Sequence, residues 1–334
     1  MIALAHPADL ATFLSSENLG LKLQCPRCRE RIGYLSETSP SDSSELPCLA
    51  CGFNLRCEHG IWKALLPERQ TYFARFMQDY EFIRNAEGRG SAGAEYYLDL
   101  PFRDLSGRNI AQWTIRAKTF RYIERRLIPA ISARHQRRLR ILDLGAGNGW
   151  MSYRLALRGH ALTAVDLQTN DRDGLGAAIH YTERLTALFP RFQAELNILP
   201  FGDGQFDLVI FNASFHYAEN YEDTLAEAVR CTCAGGTVLI ADTPWYRKEG
   251  SGRQMVEERR AAFMARYGIP SDEIASLEYL TDQRLQKMED SFGIRWHVHT
   301  PYYGIQWSFR PLFARLRGKR EPSRFRIYTA RLNP

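Results

Sequence analysis

"ILDLGAGNGW", residues 141–150, places Gly145, Gly147 and Gly149 directly behind an apolar run that carries Asp143 and ends at Leu144. A short apolar run closed by glycines has the pattern of a buried strand, and glycines at alternate positions let the following turn bring bare backbone close to a ligand. Strand, glycine turn and helix in that order make the first unit of an open α/β sheet. In such sheets ligands sit beyond the carboxyl ends of the strands.

Working downstream, the pattern repeats. "RLRILDLG", "ALTAVDL", "RFQAEL", "QFDLVIFN" and "GGTVLIAD" read as five strands, with helices predicted over residues 149–158, 181–188 and 221–231. The fold class is therefore α/β, a parallel sheet with helices on both faces. Residues 244–290 predict one or two inserted helices, and the alternation of Ile294, Trp296 and Val298 predicts a further strand.

Working upstream, "CPRC" (Cys25, Cys28) and "CLAC" (Cys48, Cys51) are separated by 19 residues. Each pair can bend into a knuckle presenting two thiolates to one ion, so the two complete a tetrahedral four-cysteine zinc site. Four thiolates leave zinc no open position, which makes its role structural. Cys57 and His59 read as ordinary residues of the strand and turn leading to "GIWKALLP". Beyond Pro67 a helix is predicted from the spacing of Tyr72, Phe73, Phe76, Met77, Tyr80 and Ile83. "EYYLDLPF" reads as an irregular segment, and a second long helix is expected from Asn109 to Leu127, kinked or stopped by Pro129. The expected division is 1–66 for the N-terminal segment and zinc ribbon, 67–138 for a helical linker or lid, and 139–334 for the α/β domain with its insertion at 244–290.

The chain has 334 residues, 45% of them hydrophobic, and a net charge of +6. It has no apolar run of membrane-spanning length and no signal-peptide pattern at its start, so a cytoplasmic protein without a membrane partner is expected. The oligomeric state is open. Seven cysteines, four of them in CxxC pairs, fit metal ligation better than a disulfide framework. Charge is uneven: residues 116–140 carry nine Lys/Arg against Glu124, and residues 310–334 carry eight against Glu321. Such segments are either solvated faces or sites for an anionic partner such as RNA.

A dinucleotide fingerprint would read GxGxxG. Here Asp143 stands two residues before the first glycine, Asp166 closes the second strand in "AVDL", and "LPFGDGQFDLVIFNASFHY" joins the third and fourth strands. From Leu139 to about residue 245 the chain resembles the class I S-adenosylmethionine-dependent methyltransferases, especially the methyltransferase type 11 group. The resemblance implies a Rossmann-like sheet and S-adenosyl-L-methionine as cofactor. Gly145, Gly147 and Gly149 would lie against its methionine portion, Asp143 would attract its ammonium group, and Asp166 would accept from the ribose hydroxyls. Glu195 or Asn197 would meet the adenine. Asn212, which is counted with the cofactor site as well, and Tyr217 would face the substrate, with His216 as candidate base. The ribbon resembles the small zinc proteins that activate tRNA methyltransferases and the ribbon of zinc-containing rRNA guanine methyltransferases.

Methyl transfer to a small-molecule metabolite is the function expected first. The alternatives are an RNA methyltransferase of guanine-N1 type, favoured by ribbon and charge, and a non-catalytic cofactor-binding domain whose ribbon docks a partner. "FNASF" lacks the Asn/Asp-Pro-Pro-Tyr pattern associated with exocyclic base amines and glutamine amides. Cys231 and Cys233 precede the fifth strand and lie outside any predicted substrate loop, against a cysteine-nucleophile mechanism.

Overall fold

Side chains alternating along the central strands build two apolar cores, one on each face of a single sheet. Leu142, Leu144, Val209 and Phe211 face one, while Ile141, Leu208 and Ile210 face the other. The structure, a computed structural model, describes residues 20–35, 44–269 and 274–333. The start of the expected N-terminal segment and most of the polar stretch between the cysteine pairs lie outside the described residues.

In chain order the elements begin with the hairpin β1 (Leu21–Gln24) and β2 (Arg31–Leu35), then β3 (Glu45–Pro47), β4 (Asn54–Glu58) and β5 (Ile61–Lys63). Helices α1 (Pro67–Ala86), α2 (Ala94–Asp99), α3 (Ile110–Tyr122) and α4 (Ile128–His135) precede β6 (Arg140–Leu144). After it come α5 (Trp150–Ala156), β7 (Ala161–Asp166), a 3-10 stretch (Leu175–Glu183), β8 (Arg191–Gln193), β9 (Phe206–Asn212), α6 (Tyr221–Cys231) and β10 (Thr232–Ala241). The chain continues through α7 (Glu249–Tyr267), α8 (Asp282–Phe292), β11 (Trp296–His299), α9 (Ile305–Leu316) and β12 (Ile327–Arg331).

Ten strands form the main sheet in the order β11-β12-β10-β9-β6-β7-β8-β5-β4-β3. Strands β10, β9, β6, β7, β8 and β5 pair in parallel, while β12 lies antiparallel between β10 and β11. Strand order reverses around β6 and β9, so the crevice beyond their carboxyl ends is the topological switch point where such folds bind ligands.

Two local expectations are corrected and a third is refined. The helix expected over 181–188 is replaced by the 3-10 stretch Leu175–Glu183, whose Ala177, Ala178 and Tyr181 are fully buried, with Tyr181 stacked on Tyr153 at 4.4 Å. The long helix is interrupted near Pro129 as expected: α3 gives way to a π-helical segment, Ile123–Leu127, and Pro129 occupies the first turn of α4, a position that tolerates its missing N–H. "EYYLD" is helical, as α2. Strand β12 was not foreseen, because its alternation is short and sits in a cation-rich stretch.

Of the strands that flank the cysteines, β3 and β4 are continuous with this sheet through β5, while the hairpin β1–β2 forms a separate two-stranded sheet. β5 pairs in parallel with β8, and Leu21, Leu23, Leu55 and Trp62 enter the same core as Val209. Arg29 grips Glu227 of α6 through two hydrogen bonds of 2.7 and 3.2 Å.

Candidate active site

Each glycine of the opening turn has positive φ: Gly145 +74°, Gly147 +57° and Gly149 +77°. At Gly145 the requirement is also spatial, since a Cβ there would lie 2.2 Å from the Ser214 Cβ. Gly145→Ala is expected to cost about 2 kcal/mol or more, from left-handed strain plus the clash, read as a shift in the chemical denaturation curve.

The turn opens onto a cleft of about 1110 Å³, including the part open to solvent. It is lined by Asp143, Gly145, Gly147, Asp166, Glu195, Asn197, Asn212 and Tyr217, so those sequence-predicted residues converge there. Gly149 is not among its lining residues and instead starts α5, as its N-cap. Asp143 is buried and accepts from Ser152 Oγ at 2.7 Å; burial lifts its pKa to about 6 despite that hydrogen bond. Asp166 accepts from the backbone N–H of Gly147 at 2.7 Å and of Gln168 at 2.8 Å, and burial likewise lifts it to about 6. Asp166 therefore fixes the glycine turn and still has lone pairs to offer, since each carboxylate oxygen carries two.

Two buried acceptors in the cleft have no hydrogen-bond partner, Glu195 Oε1 and Asn212 Oδ1. Buried polar atoms are paired in nearly all native proteins, so an orphan in a cleft marks where a ligand donor belongs. Glu195 is oriented from outside by Arg69, which donates to its Oε2 at 2.8 Å and to Glu219 at 3.2 Å.

His216 is not among the cleft-lining residues. Its ring lies 4.4 Å from that of Tyr217, its carbonyl accepts from the Glu278 N–H, and its Nδ1 is buried without a partner. Burial holds its pKa down to about 4, so it is neutral at pH 7.

Helix α1 supplies a wall of the cleft with Phe73, Phe76, Tyr80 and Arg84. Arg84 donates to Asp173 at 2.5 Å, and Gln168 Nε2 donates to the Met77 carbonyl at 2.8 Å, tying the helix to the loop after β7. From α3 comes Arg116, whose side chain stacks 4.9 Å from the Trp113 ring centre and makes no hydrogen bond or ion pair among the described residues. Burial, with Arg89 and Arg84 nearby, lowers its pKa to about 10, which leaves it charged at neutral pH. Sequence spacing did not single out Arg84, Arg116 or Asp173. The available signal was a cation on the apolar side of each predicted helix.

A sequence-family model described as "Methyltransferase domain" matches residues 142–240, which contain the glycine turn, Asp166, Glu195 and Asn212. That segment is similar to methyltransferase domains. The malonyl-[acyl-carrier protein] O-methyltransferase of Geobacter sulfurreducens is 32% identical to this chain over 171 residues, covering 49% of this chain and 54% of that protein. The enzyme of the same name from Erwinia pyrifoliae is 31% identical over 109 residues, covering 33% and 39%. This chain therefore spans about half or less of the length of those curated relatives. Among solved structures, the YcgJ protein of Bacillus subtilis aligns with 59% of this chain and 93% of its own, at 14% identity and a TM-score of 0.42. The cleft is thus walled partly by residues outside the matched segment, those of α1 and α3.

Away from the cleft, the Sγ atoms of Cys25, Cys28, Cys48 and Cys51 all lie within 4.8 Å of one another. The two knuckles repeat one hydrogen-bond pattern. Cys25 N–H donates to the Glu30 carbonyl and Arg29 N–H to Cys25, just as Cys48 N–H donates to Phe53 and Gly52 N–H to Cys48. Arg29 and Gly52 both take positive φ, which turns the chain back after each pair. The donor set and its spacing suit one tetrahedral zinc ion.

Much of the first basic segment is engaged within the protein. Lys118 donates to the Tyr303 carbonyl, Arg134 to Thr237, Arg137 to Asp207, and Arg121 stacks on Phe102. It does not form a free cationic stripe.

Proposed function

We propose that the chain is an S-adenosylmethionine-dependent methyltransferase whose acceptor is a small molecule or carrier-bound group bearing a carboxylate, methylated on oxygen. The observation that carries this is Arg116, a charged guanidinium lining the cleft that makes no hydrogen bond or ion pair among the described residues and feels an opposite charge, that of Asp242, only at longer range. Arg116 is half-buried, and a carboxylate acceptor would give its guanidinium a direct partner with matching fork geometry. The printed activity of the malonyl-[acyl-carrier protein] relatives, transfer to a carboxylic acid, supports the same class.

The cofactor supplies an activated methyl group. The protein's share is to bind, orient and exclude water. Asp143 and Asp166 would hold the ammonium and ribose ends, Glu195 or Asn197 the adenine, and the glycine turn would admit the methionine portion. Arg116 would orient the acceptor, with Asn212 and Tyr217 completing its surroundings. A carboxylate has already lost its proton at neutral pH, so no base is required. That suits a cleft whose lining includes no histidine or lysine among the described residues, and it removes the need for His216. A structural zinc ion held by Cys25, Cys28, Cys48 and Cys51 belongs to the same proposal.

Labelled methyl transfer to malonyl thioesters and simple dicarboxylates tests it, the product being a base-labile methyl ester. Arg116→Gln is expected to lower kcat/KM about 100-fold while S-adenosylhomocysteine affinity stays within twofold. Equal activity in the variant, or transfer to neutral acceptors alone, would overturn the carboxylate assignment.

A further inference from the structure

Helix α9 reverses the usual order of a surface helix. Ile305, Phe309, Leu312 and Leu316 recur at steps of four, three and four, the pattern that ordinarily faces a core, yet no residue of the helix is buried. Ile305 is 67% exposed and Leu316 73%, with Phe313 beside the stripe. Between residues 305 and 320 there are five Lys/Arg and no acid.

A groove between α9 and α7 gathers Arg310, Arg317, Lys319 and Arg320. Among the described residues Glu258 is the one acid lining it, and it is taken up by Arg320 at 2.5 Å. Arg310 lies 3.9 Å over the Trp307 ring, so an aromatic side chain stands beside the cationic groove.

We propose that α9 and this groove bind the surface of an anionic lipid bilayer, the apolar stripe entering the acyl boundary and the groove receiving phosphate headgroups. An exposed apolar stripe flanked by cations is the chemistry of an interfacial helix, and charge complementarity selects anionic lipid. The proposal departs from the sequence expectation of no membrane partner, which rested on the lack of a spanning-length apolar run; a helix lying on a bilayer needs none. Among the described residues, no helix is long and apolar enough to cross a membrane. Position adds to the case. Tyr303, two residues ahead of α9, bonds Thr119, which in turn donates to Asp242 just past the carboxyl end of β10. The surface therefore begins at the end of the sheet that bears the cleft.

Vesicle flotation of the full chain tests the proposal, comparing phosphatidylcholine alone with phosphatidylcholine containing phosphatidylglycerol. Binding is expected at least tenfold stronger to the anionic vesicles, weakening with salt. Leu312→Asp with Leu316→Asp is expected to reduce it at least tenfold, as is Arg317→Glu with Lys319→Glu, at unchanged thermal midpoints because all four side chains are exposed. Equal binding to both vesicle types, or full binding by either double variant, would overturn it. So would self-association abolished by the stripe variant while vesicle binding persists, which would assign the face to a second copy of the chain. Competition by inorganic phosphate, with the stripe variant still binding, would assign the groove to a free anion instead.

Discussion

Purified protein is expected to contain one zinc ion per chain, and Cys48→Ser to lose it together with much of the stability of the N-terminal third. Structural zinc contributes about 10–16 kcal/mol to small zinc-dependent folds. Here the loss should be smaller, several kcal/mol, because Leu23, Leu55 and Trp62 are anchored in the main core whether or not metal is present. The effect should reach the cleft. Strand β5 pairs with β8, which leads into Glu195, and α1, starting four residues after β5, carries Arg69, Phe73, Phe76 and Arg84. Metal analysis combined with titration of S-adenosylhomocysteine would therefore show zinc loss and cofactor weakening together. Wild-type protein without zinc would sink the metal assignment, and zinc loss at unchanged affinity would sink the coupling.

Asp166→Ala is expected to weaken S-adenosylhomocysteine binding about 100-fold by calorimetry. The carboxylate is placed to accept from ribose hydroxyls, and it also fixes Gly147 and Gln168 through their N–H groups. Losing it removes ligand contacts and loosens the turn; two charge-assisted hydrogen bonds are together worth about 3 kcal/mol, the size of this change. The same residue sets a pH dependence. With pKa values lifted to about 6, Asp166 and Asp143 are protonated first as pH falls, so affinity should decline below pH 6. In the ligand-free protein the sign is opposite. A carboxyl whose pKa is raised on folding adds stability below its unfolded value of about 4, and that contribution is lost as pH rises through about 6. Asp166→Asn should reduce the slope of both profiles to the share of Asp143, and an unchanged affinity profile would show that the Asp166 carboxylate does not meet the ligand.

What was legible in the sequence was whatever local chemistry dictates. Apolar runs ending in Asp143 and Asp166, glycines that need positive φ, and paired cysteines each carry their constraint within a few residues, and the structure places them accordingly. Glu195 and Asn197 could not be separated by alignment, and both line the cleft; the orphaned Oε1 distinguishes Glu195. The acceptor side was poorly legible. His216 lies on the expected loop, but a one-residue difference in a 3-10 turn decides whether 216 or 217 faces the cleft, and Tyr217 does. Arg116 sits in a run of nine cations, marked only by its helical spacing from Trp113 and Phe120; the docking of α3 against the sheet turns it inward. The union of the cysteine strands with the sheet was likewise invisible, since pairing of β5 with β8 joins residues about 130 apart in the chain.

That union also governs the protein's colloidal behaviour. Strand β8 has three residues, and β5 covers its outer side, so the sheet ends at β3. β3 is a poor template for strand addition, being three residues long, ending in Pro47 and opening with charged Glu45. If the cysteine strands came away, the row of N–H and C=O groups along β8 beside fully buried Phe192 would become a free edge, open to pairing with another chain. A variant that loosens β5 itself, such as Trp62→Ala, should then precipitate as well as weaken, at a rate that rises with concentration.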